Sequence, residues 1–576
     1  MPQTTLTEEF RKQPPEALPP VQFSIPPFQT AELESGLKIV VFEDSRLPLV
    51  SFRLAFFTGD IDDAEGDHGL TSAMTAMLTE GTSRHSSREI AEKIERLGAS
   101  VSANSSDDFI VIAASALSLY TSDILEILEE IVMQSNFPEN ELDLYKRNAI
   151  ENLKFQRSQP GFLANEQTAR LLYGEHPYSR VSPNQEEIER LDRESLVNER
   201  RTRLVPNSAI LIVVGDIEKE EIVSEIRRRF HEWEAGSKTS KNLPTLPERS
   251  SRTLTIVDRP GSAQSNIVLA NLAIDRNSPD YFPFLVMNQV LGAGASSRVF
   301  MNLREEKGYT YGAYTRFDAK RHAGDFEATA EVRTAVTGAS LKEFFYELER
   351  IRAEKVSAAE LADAKNFLTG VFPIRAETQE GLTNLLVTQF LYGLPEDYLQ
   401  TYRDKVAAVT IDDVERMAKK YVQPDKMAIV IVGDAEEILP QVREYAADIE
   451  IFDTDGNPKD ISAYENTGSG EAANVAGEWN LMIDFQGQQV PVSMTLVQSG
   501  ETVTGSLETM LGAGQIDDGK ISGNKLTASA WTEIQGEAVE FTILGKVDGE
   551  SMTGTLSAPI VPEPLSFTGT REAGTK

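Results

Sequence analysis

The sequence has no cysteine among its 576 residues. Disulfides and thiolate metal sites are therefore excluded, and the redox compartment is left open. Histidine is almost as scarce, with five: His68, His85, His176, His231 and His322. No two of these stand three or four positions apart, the spacing that sets two imidazoles on one helix face around a zinc ion. No window approaches the roughly eighteen apolar residues of a membrane-spanning helix. The opening MPQTTLTEEFRKQPPEALPP also lacks the apolar h-region of a signal peptide. Positive charge is in deficit: Lys and Arg number 56 against 90 Asp and Glu, for a net charge of −34. That balance argues against nucleic acid or an anionic membrane as the main partner. It leaves at most a bias toward basic peptides, beside the plainer reading of a solvated acidic surface.

What remains is an ordinary globular composition, 40% hydrophobic and 25% charged, in a chain long enough for three or four domains. Pro14, Pro15, Pro19, Pro20, Pro26 and Pro27 give residues 1–30 the character of an extended segment. From Thr30 the text repeats itself. EGTSRHSSREIAEKIERLGASVSA (Glu80–Ala103) parallels LGAGASSRVFMNLREEKGYTYGAY (Leu291–Tyr314), with Arg88 matching Arg298, Gly98 matching Gly308 and Val101 matching Tyr311. LVPNSAILIVVGD (Leu204–Asp216) parallels VQPDKMAIVIVGD (Val422–Asp434). Two markers in the same order at nearly equal offsets indicate duplicated domains. The chain then divides into a first half at 31–235, a linker at 236–252, a second half at 253–455, a linker at 456–475 and a C-terminal module at 476–572.

Each half reads as a mixture of helix and strand. AILIVVGD and MAIVIVGD are short apolar runs of buried-strand type, and TSDILEILEEIVMQ (Thr121–Gln134) has helical periodicity with Thr121 or Ser122 as its cap. SLKEFFYELERIRAE, from Ser340, is its counterpart. LKIVVFEDSRLPLVSFRLAFFTGD reads as strand, turn and strand. The alternation predicts an α+β chain of two homologous α/β-sandwich halves, each a mixed or antiparallel sheet with helices on one side. Beyond YENTGSGEAANVAGEW the runs VPVSMTLVQ and TVTGSLE alternate, and turns such as DDGK, SGNK and VDGE punctuate them. That pattern predicts a small all-β barrel or sandwich. It is similar to lipocalin-like barrel modules, without indicating a ligand.

The densest chemistry lies in SSRVFMNLREEKGYTYGAY, Ser296–Tyr314. A guanidinium at Arg304 and a phenol at Tyr311 stand on either side of a turn at Gly308. A fixed fork of donors beside a phenolic hydroxyl can hold a peptide carbonyl and stabilise the oxyanion formed when water attacks it. The bland alternative is a surface Arg and a strand Tyr. By strand alternation Tyr309 shares the face of Tyr311 and is the rival phenol, whereas Tyr314 falls on the opposite face. Gly292 and Gly294 resemble a phosphate loop only superficially, since no Lys follows, and read as a turn.

The stretch resembles the Arg/Tyr element of the pitrilysin/insulinase family of zinc peptidases, which lies in the C-terminal half of the peptidase clamshell. The family's other element is an inverted zinc motif, HxxEH, on a helix of the N-terminal half. Its frame is here as GLTSAMTAMLTEGT, Gly69–Thr82. Ser72 and Ala76 hold the two histidine positions, and Thr75 holds that of the general-base Glu. None of the three is a zinc ligand, so no metal is expected in this chain. His68 lies just before the helix without a histidine partner. Active members take a third ligand from a Glu on a later helix. ENELDLYKRNAIENLKFQ offers Glu139, Glu141 and Glu151, which read as solvated helix charges once the histidines are gone. HPY, His176–Tyr178, is also family-like and reads as structural.

The resemblance covers about residues 30–450 and implies two clamshell halves. It further implies a non-catalytic, zinc-less subunit of a two-chain metallopeptidase: inactive alone, and part of a peptide hydrolase when paired with an HxxEH subunit. Zinc is expected in that partner, and a peptide or unfolded protein as the substrate. Arg304 and Tyr311 would bind the substrate backbone and stabilise the oxyanion. The alternative is a non-enzymatic homologue, either a structural core subunit of the kind found in a respiratory complex or a peptide-binding protein. The Pro-rich lead-in resembles that of secreted bacterial members. A periplasmic chain with its presequence removed is the first expectation for its location, and the bacterial cytoplasm the second.

Overall fold

The computed structural model describes residue 25 and residues 27–237, 242–465, 472–485, 488–509, 512–534, 537–557 and 564–572. Most of the expected extended segment 1–30 therefore lies outside the described residues. The chain divides into two compact units. One is built on residues up to Asp434 with Gln441–Asn457, the other on Ala435–Pro440 and the chain from Pro458.

The first unit contains two sheets of matching design. Strands β1 (Gln29–Glu32), β2 (Lys38–Glu43), β3 (Leu49–Phe56), β4 (Ser100–Ser105), β5 (Ile110–Leu117) and β6 (Ala209–Gly215) lie in the order β1-β2-β6-β3-β5-β4. Strand β6 runs parallel to β2 and antiparallel to β3. The strand, turn and strand of LKIVVFEDSRLPLVSFRLAFF is thus not a hairpin, because β6 is inserted between its arms. The reason is burial: all seven residues of β6 are buried, and such a strand needs a neighbour on each edge and cover on each face. In the second half β7 (Thr253–Asp258), β8 (Gln264–Leu272), β9 (Thr310–Ala319), β10 (Gly324–Arg333), β11 (Ala428–Gly433) and β12 (Asp448–Phe452) follow the order β12-β7-β11-β8-β10-β9. Here too a parallel pair, β7 and β11, adjoins an antiparallel pair, β11 and β8. Gly98 and Gly308, equivalent in the repeat, take the same left-handed turn, with φ of 58° and 63°, a conformation that costs residues bearing a Cβ.

Each half covers one face of the other's sheet. On the inner face of the first sheet, Phe52, Leu54 and Leu211 pack with Ile124, Leu128 and Ile131 of the helix Thr121–Gln134. On its other face, Phe42, Ile212 and Val214 meet Leu382 and Leu386 of the helix Gln379–Leu391 from the second half. Reciprocally, the helix Pro160–Tyr173 of the first half lays Leu163, Ala164 and Leu172 on Val268, Val430 and Val432. Full burial of one such Val, Leu or Ile side chain contributes roughly 1.5–3 kcal/mol, so the exchanged helices bind the halves together. They also account for strands that are apolar throughout rather than alternating. The helix Thr121–Gln134 lacks the expected side-chain cap. The Thr121 hydroxyl instead donates to the Ser118 carbonyl at 2.6 Å, and that of Ser122 to Glu225 at 2.8 Å.

The stretch expected to be a free linker at 236–252 is partly fastened. Asn207 exchanges hydrogen bonds with the Gly236 backbone at 2.8 and 2.9 Å, and Leu243 and Leu246 pack on the core under the second sheet. Residues 238–241, and 466–471 of the expected linker 456–475, lie outside the described residues. The second unit holds a closed barrel of eight consecutive antiparallel strands, from Gly477–Phe485 to Leu565–Arg571, the last pairing with the first. Its interior is packed by Trp479, Leu481, Met494, Ile516, Ile543 and Phe567. The Trp479 indole donates to the Val475 carbonyl at 2.9 Å.

Candidate functional site

The frame of the zinc motif forms the helix Leu70–Ala76, which starts from Gly69 in the left-handed conformation at φ 88°. Asp63 caps it from below. Its carboxylate accepts the Gly69 and Thr71 N–H groups at 2.8 and 3.2 Å and the Thr71 hydroxyl at 2.6 Å. Burial pushes the Asp63 carboxyl up to about 7, and the charges of Asp60 and Glu199 add to the rise. Ser72 donates to Asp60 at 2.8 Å and lies 2.8 Å from the Ser105 hydroxyl. Thr75 is 1% exposed, so its hydroxyl faces the core rather than a reaction space. Ala76 offers no donor atom. His68 is buried with Nδ1 4.0 Å from Asp63, and burial depresses its basicity. Among the described residues no group of three His, Cys, Asp or Glu is disposed to hold a metal ion. The residues at the motif do not fit zinc. Glu139 and Glu151 are exposed, Glu151 pairing with Lys154 at 2.7 Å, and Glu141 is half-buried beside Asn140.

Ser72 instead borders a polar cavity of about 200 Å³, walled from the first half by Asp60, His68 and Arg180 and from the second by Arg316, Asp318 and Lys320. Buried polar ties cross beside it. Tyr173 donates to Asp325 at 2.5 Å and Tyr178 to Asp108 at 2.6 Å. Lys320 pairs with Asp107 at 2.7 Å, and the Arg321 N–H donates to Asp108 at 3.0 Å. Burial raises the Asp325 carboxyl to about 7, helped by the neighbouring charge of Glu327, and it raises Asp108 as well. His176 is buried and accepts the Tyr178 N–H at 3.2 Å, so the HPY segment is built into this junction. No motif marks these residues in the sequence. The only hint is the acidic pair Asp107–Asp108 in a loop between alternating strands.

The Arg/Tyr stretch begins as the short helix Arg298–Phe300 and continues as a π-helix, Met301–Glu306. The Lys307 N–H closes onto the Asn302 carbonyl at 3.0 Å. Such wide turns are rare and concentrate at functional positions. After Gly308 the chain enters β9, and Arg304 Nε donates to the Tyr311 carbonyl at 2.9 Å. The guanidinium lies 5.4 Å from the Phe300 ring centroid and also contacts Glu305. The Tyr311 side chain is 90% exposed. Between Thr310 and Ala313 two residues of β9 face one residue of β10, a β-bulge. Strict alternation would put Tyr311 and Tyr314 on opposite faces, but the bulge breaks the period and both are exposed. The Tyr314 ring lies over Gly312, where a Cβ would come within 2.6 Å of it and push it aside. Tyr309 is half-buried.

Arg304 and Tyr311 are thus brought together through backbone and side chain, while the motif helix is not brought to them. Neither borders the cavity at Ser72. Arg316, which does, lies five residues further along β9, about 17 Å at the rise of an extended strand.

Two α/β halves that cover each other's sheets, with a motif helix that carries none of the zinc-motif side chains, define a two-domain peptidase scaffold. Residues 38–180 match the family model described as insulinase (peptidase family M16), and residues 190–368 match the M16 inactive domain. The chain belongs to the M16 family. It is 22% identical over 397 residues to the uncharacterized zinc protease YmxG of Bacillus subtilis, covering 68% of this chain and 95% of that one. It is 21% identical to the non-peptidase homolog YmxG of Helicobacter pylori, over 70% of this chain and 94% of the relative. The crystal structure of a peptidase M16 inactive domain from Pseudomonas fluorescens superposes with a TM-score of 0.65 at 26% identity, covering 71% of this chain and 98% of the other. A protease from Helicobacter pylori gives 0.65 at 18% identity over 71% and 100%, a likeness of fold.

Proposed function

We propose that this chain is the non-catalytic subunit of a heterodimeric M16 metallopeptidase. It would present Arg304 and Tyr311 to the metal centre of a partner that carries HxxEH. The observation that carries this reading is the Tyr311 phenol, 90% exposed on a strand whose backbone Arg304 holds at 2.9 Å. A phenol so exposed contributes little to its own fold, and a guanidinium fixed beside it supplies charged donors for a substrate carbonyl. The substrate is a peptide or an unfolded protein. Strand β9 is the edge of its sheet, so an extended backbone can be added alongside it. The complex works in the bacterial periplasm. Mixing this chain with an HxxEH subunit and following a fluorogenic peptide tests the reading. Cleavage should arise only in the mixture. Stable binding of peptide with no cleavage in any mixture would instead identify a non-enzymatic peptide-binding homologue.

A further inference from the structure

We infer that the cavity bordered by Ser72 is a binding site for a small zwitterion of amino-acid or dipeptide size, with its ammonium against Asp60 and its carboxylate against Arg180. The inference uses neither Arg304 nor Tyr311 and stands apart from the heterodimer reading. The cavity, about 200 Å³, exceeds the space of a single water and suits a ligand of that size. Most charges in its wall are already matched. Lys320 pairs with Asp107 at 2.7 Å, Arg316 with Glu327 at 2.7 Å, and Asp325 accepts the Tyr173 hydroxyl. Asp318 stands 3.9 Å from the same Lys320 ammonium, and Asp60 and Arg180, of opposite sign, are left without a counter-charge. Arg180 has no hydrogen-bond or ion-pair partner for its guanidinium among the described residues. Asp60 takes the Ser72 hydroxyl on one oxygen and leaves Oδ1 without a partner.

A second set of atoms points the same way. Thr168 is 2% exposed and His68 8% exposed, both form part of the cavity wall, and Thr168 Oγ1 and His68 Nδ1 have no hydrogen-bond partner. Buried polar atoms are rarely left unpaired, and here three residues that carry one line a single cavity together with Arg180, whose guanidinium is unpaired. An anion would satisfy only Arg180, and a simple cation only Asp60. A molecule with an ammonium at one end and a carboxylate at the other satisfies both.

Calorimetric titration of the full chain tests the inference, with glycine and glycylglycine as probes at millimolar concentration. N-acetylglycine, which lacks the ammonium, and glycinamide, which lacks the carboxylate, are the controls. At least one zwitterion should bind, and each control should bind at least about tenfold more weakly, the loss expected for one charge-assisted pair. Arg180→Met should weaken binding by a similar factor while its thermal unfolding stays that of the wild type. If that variant misfolds, Asp60→Asn serves in its place, read against glycine and N-acetylglycine. The inference is overturned if neither zwitterion releases or absorbs heat, if either control binds as tightly as the zwitterion that binds, or if a folded Arg180→Met or Asp60→Asn variant binds that zwitterion unchanged.

Discussion

Tyr173 donates its phenolic hydrogen to Asp325 at 2.5 Å, tying the helix Pro160–Tyr173 of the first half to β10 of the second. Both side chains are buried. The halves are therefore joined by a polar contact at a desolvated carboxyl as well as by the exchange of helices. A hydrogen bond in such surroundings is strong when made, and an ionised carboxylate left there is costly.

The protonation of Asp325 should accordingly be visible in stability. Its folded-state value rises from 3.8 to about 7, so the folded chain binds this proton more tightly than the unfolded chain. The contribution is fully present below about pH 4 and is lost as pH rises through 7. Asp325→Asn cannot titrate but can still accept the Tyr173 hydroxyl. The stability advantage of wild type over this variant should shrink between pH 5 and pH 8, by at most about 1.4 kcal/mol per pH unit. Burial depresses His68, His176 and His322, and their effects run the other way, but they cancel in the comparison of the two proteins. Urea unfolding at several pH values measures it. A gap that stays constant or widens with pH would mean that Asp325 is ionised throughout.

The purified chain should hold no stoichiometric zinc and cleave no peptide by itself. Ser72 is engaged by Asp60 and Ser105, Thr75 is turned into the core, and Ala76 carries no donor. Elemental analysis beside a peptide-cleavage assay checks this. One tightly bound zinc per chain, with cleavage abolished by a chelator, would contradict it.

Much of this was legible in the sequence, though unevenly. The repeat was readable because Gly98 and Gly308 must both turn left-handed and because the two Gly-Asp strands must both be fully apolar. The lost motif was readable because a ligand is a residue type at a fixed spacing. Pairing order was not. Nothing in LKIVVFEDSRLPLVSFRLAFF says that a strand some 150 residues later separates its arms. The shared exposure of Tyr311 and Tyr314 is not readable from strand alternation, because a bulge leaves no compositional mark. The cavity was invisible for the same reason as the sheet order: Asp60, Arg180 and Lys320 converge only through contacts distant in sequence.

The barrel should unfold as its own unit. Its strands close on themselves around their own core, and Trp479 is fully buried in it. Trp479→Ala should cost the barrel about 3–5 kcal/mol. Calorimetry of the full chain should show one transition moved to lower temperature and the transition of the first unit unmoved. A single transition displaced as a whole would show that the two units unfold together.

The last prediction concerns the Arg/Tyr pair. In an assembled complex with an HxxEH subunit, Arg304→Ala and Tyr311→Phe should each lower kcat, by about 10²–10³ for loss of one oxyanion donor, with assembly unchanged. The expectation rests on geometry. Arg304 fixes the Tyr311 carbonyl at 2.9 Å, and the bulge at Tyr311 and Gly312 leaves the phenol exposed. Removing the Arg304 guanidinium therefore takes away a charged donor and also frees the backbone that aims the phenol. Arg304→Lys separates these roles, since it keeps the charge but loses the fork that reaches the carbonyl, and it should recover only part of the rate. Tyr309→Phe is the control: half-buried beside the turn, it should leave kcat close to wild type. Loss of activity in Tyr309→Phe with retention in Tyr311→Phe would move the functional phenol two residues back. Wild-type turnover in both Arg304→Ala and Tyr311→Phe, with the complex intact, would reduce this chain to a scaffold.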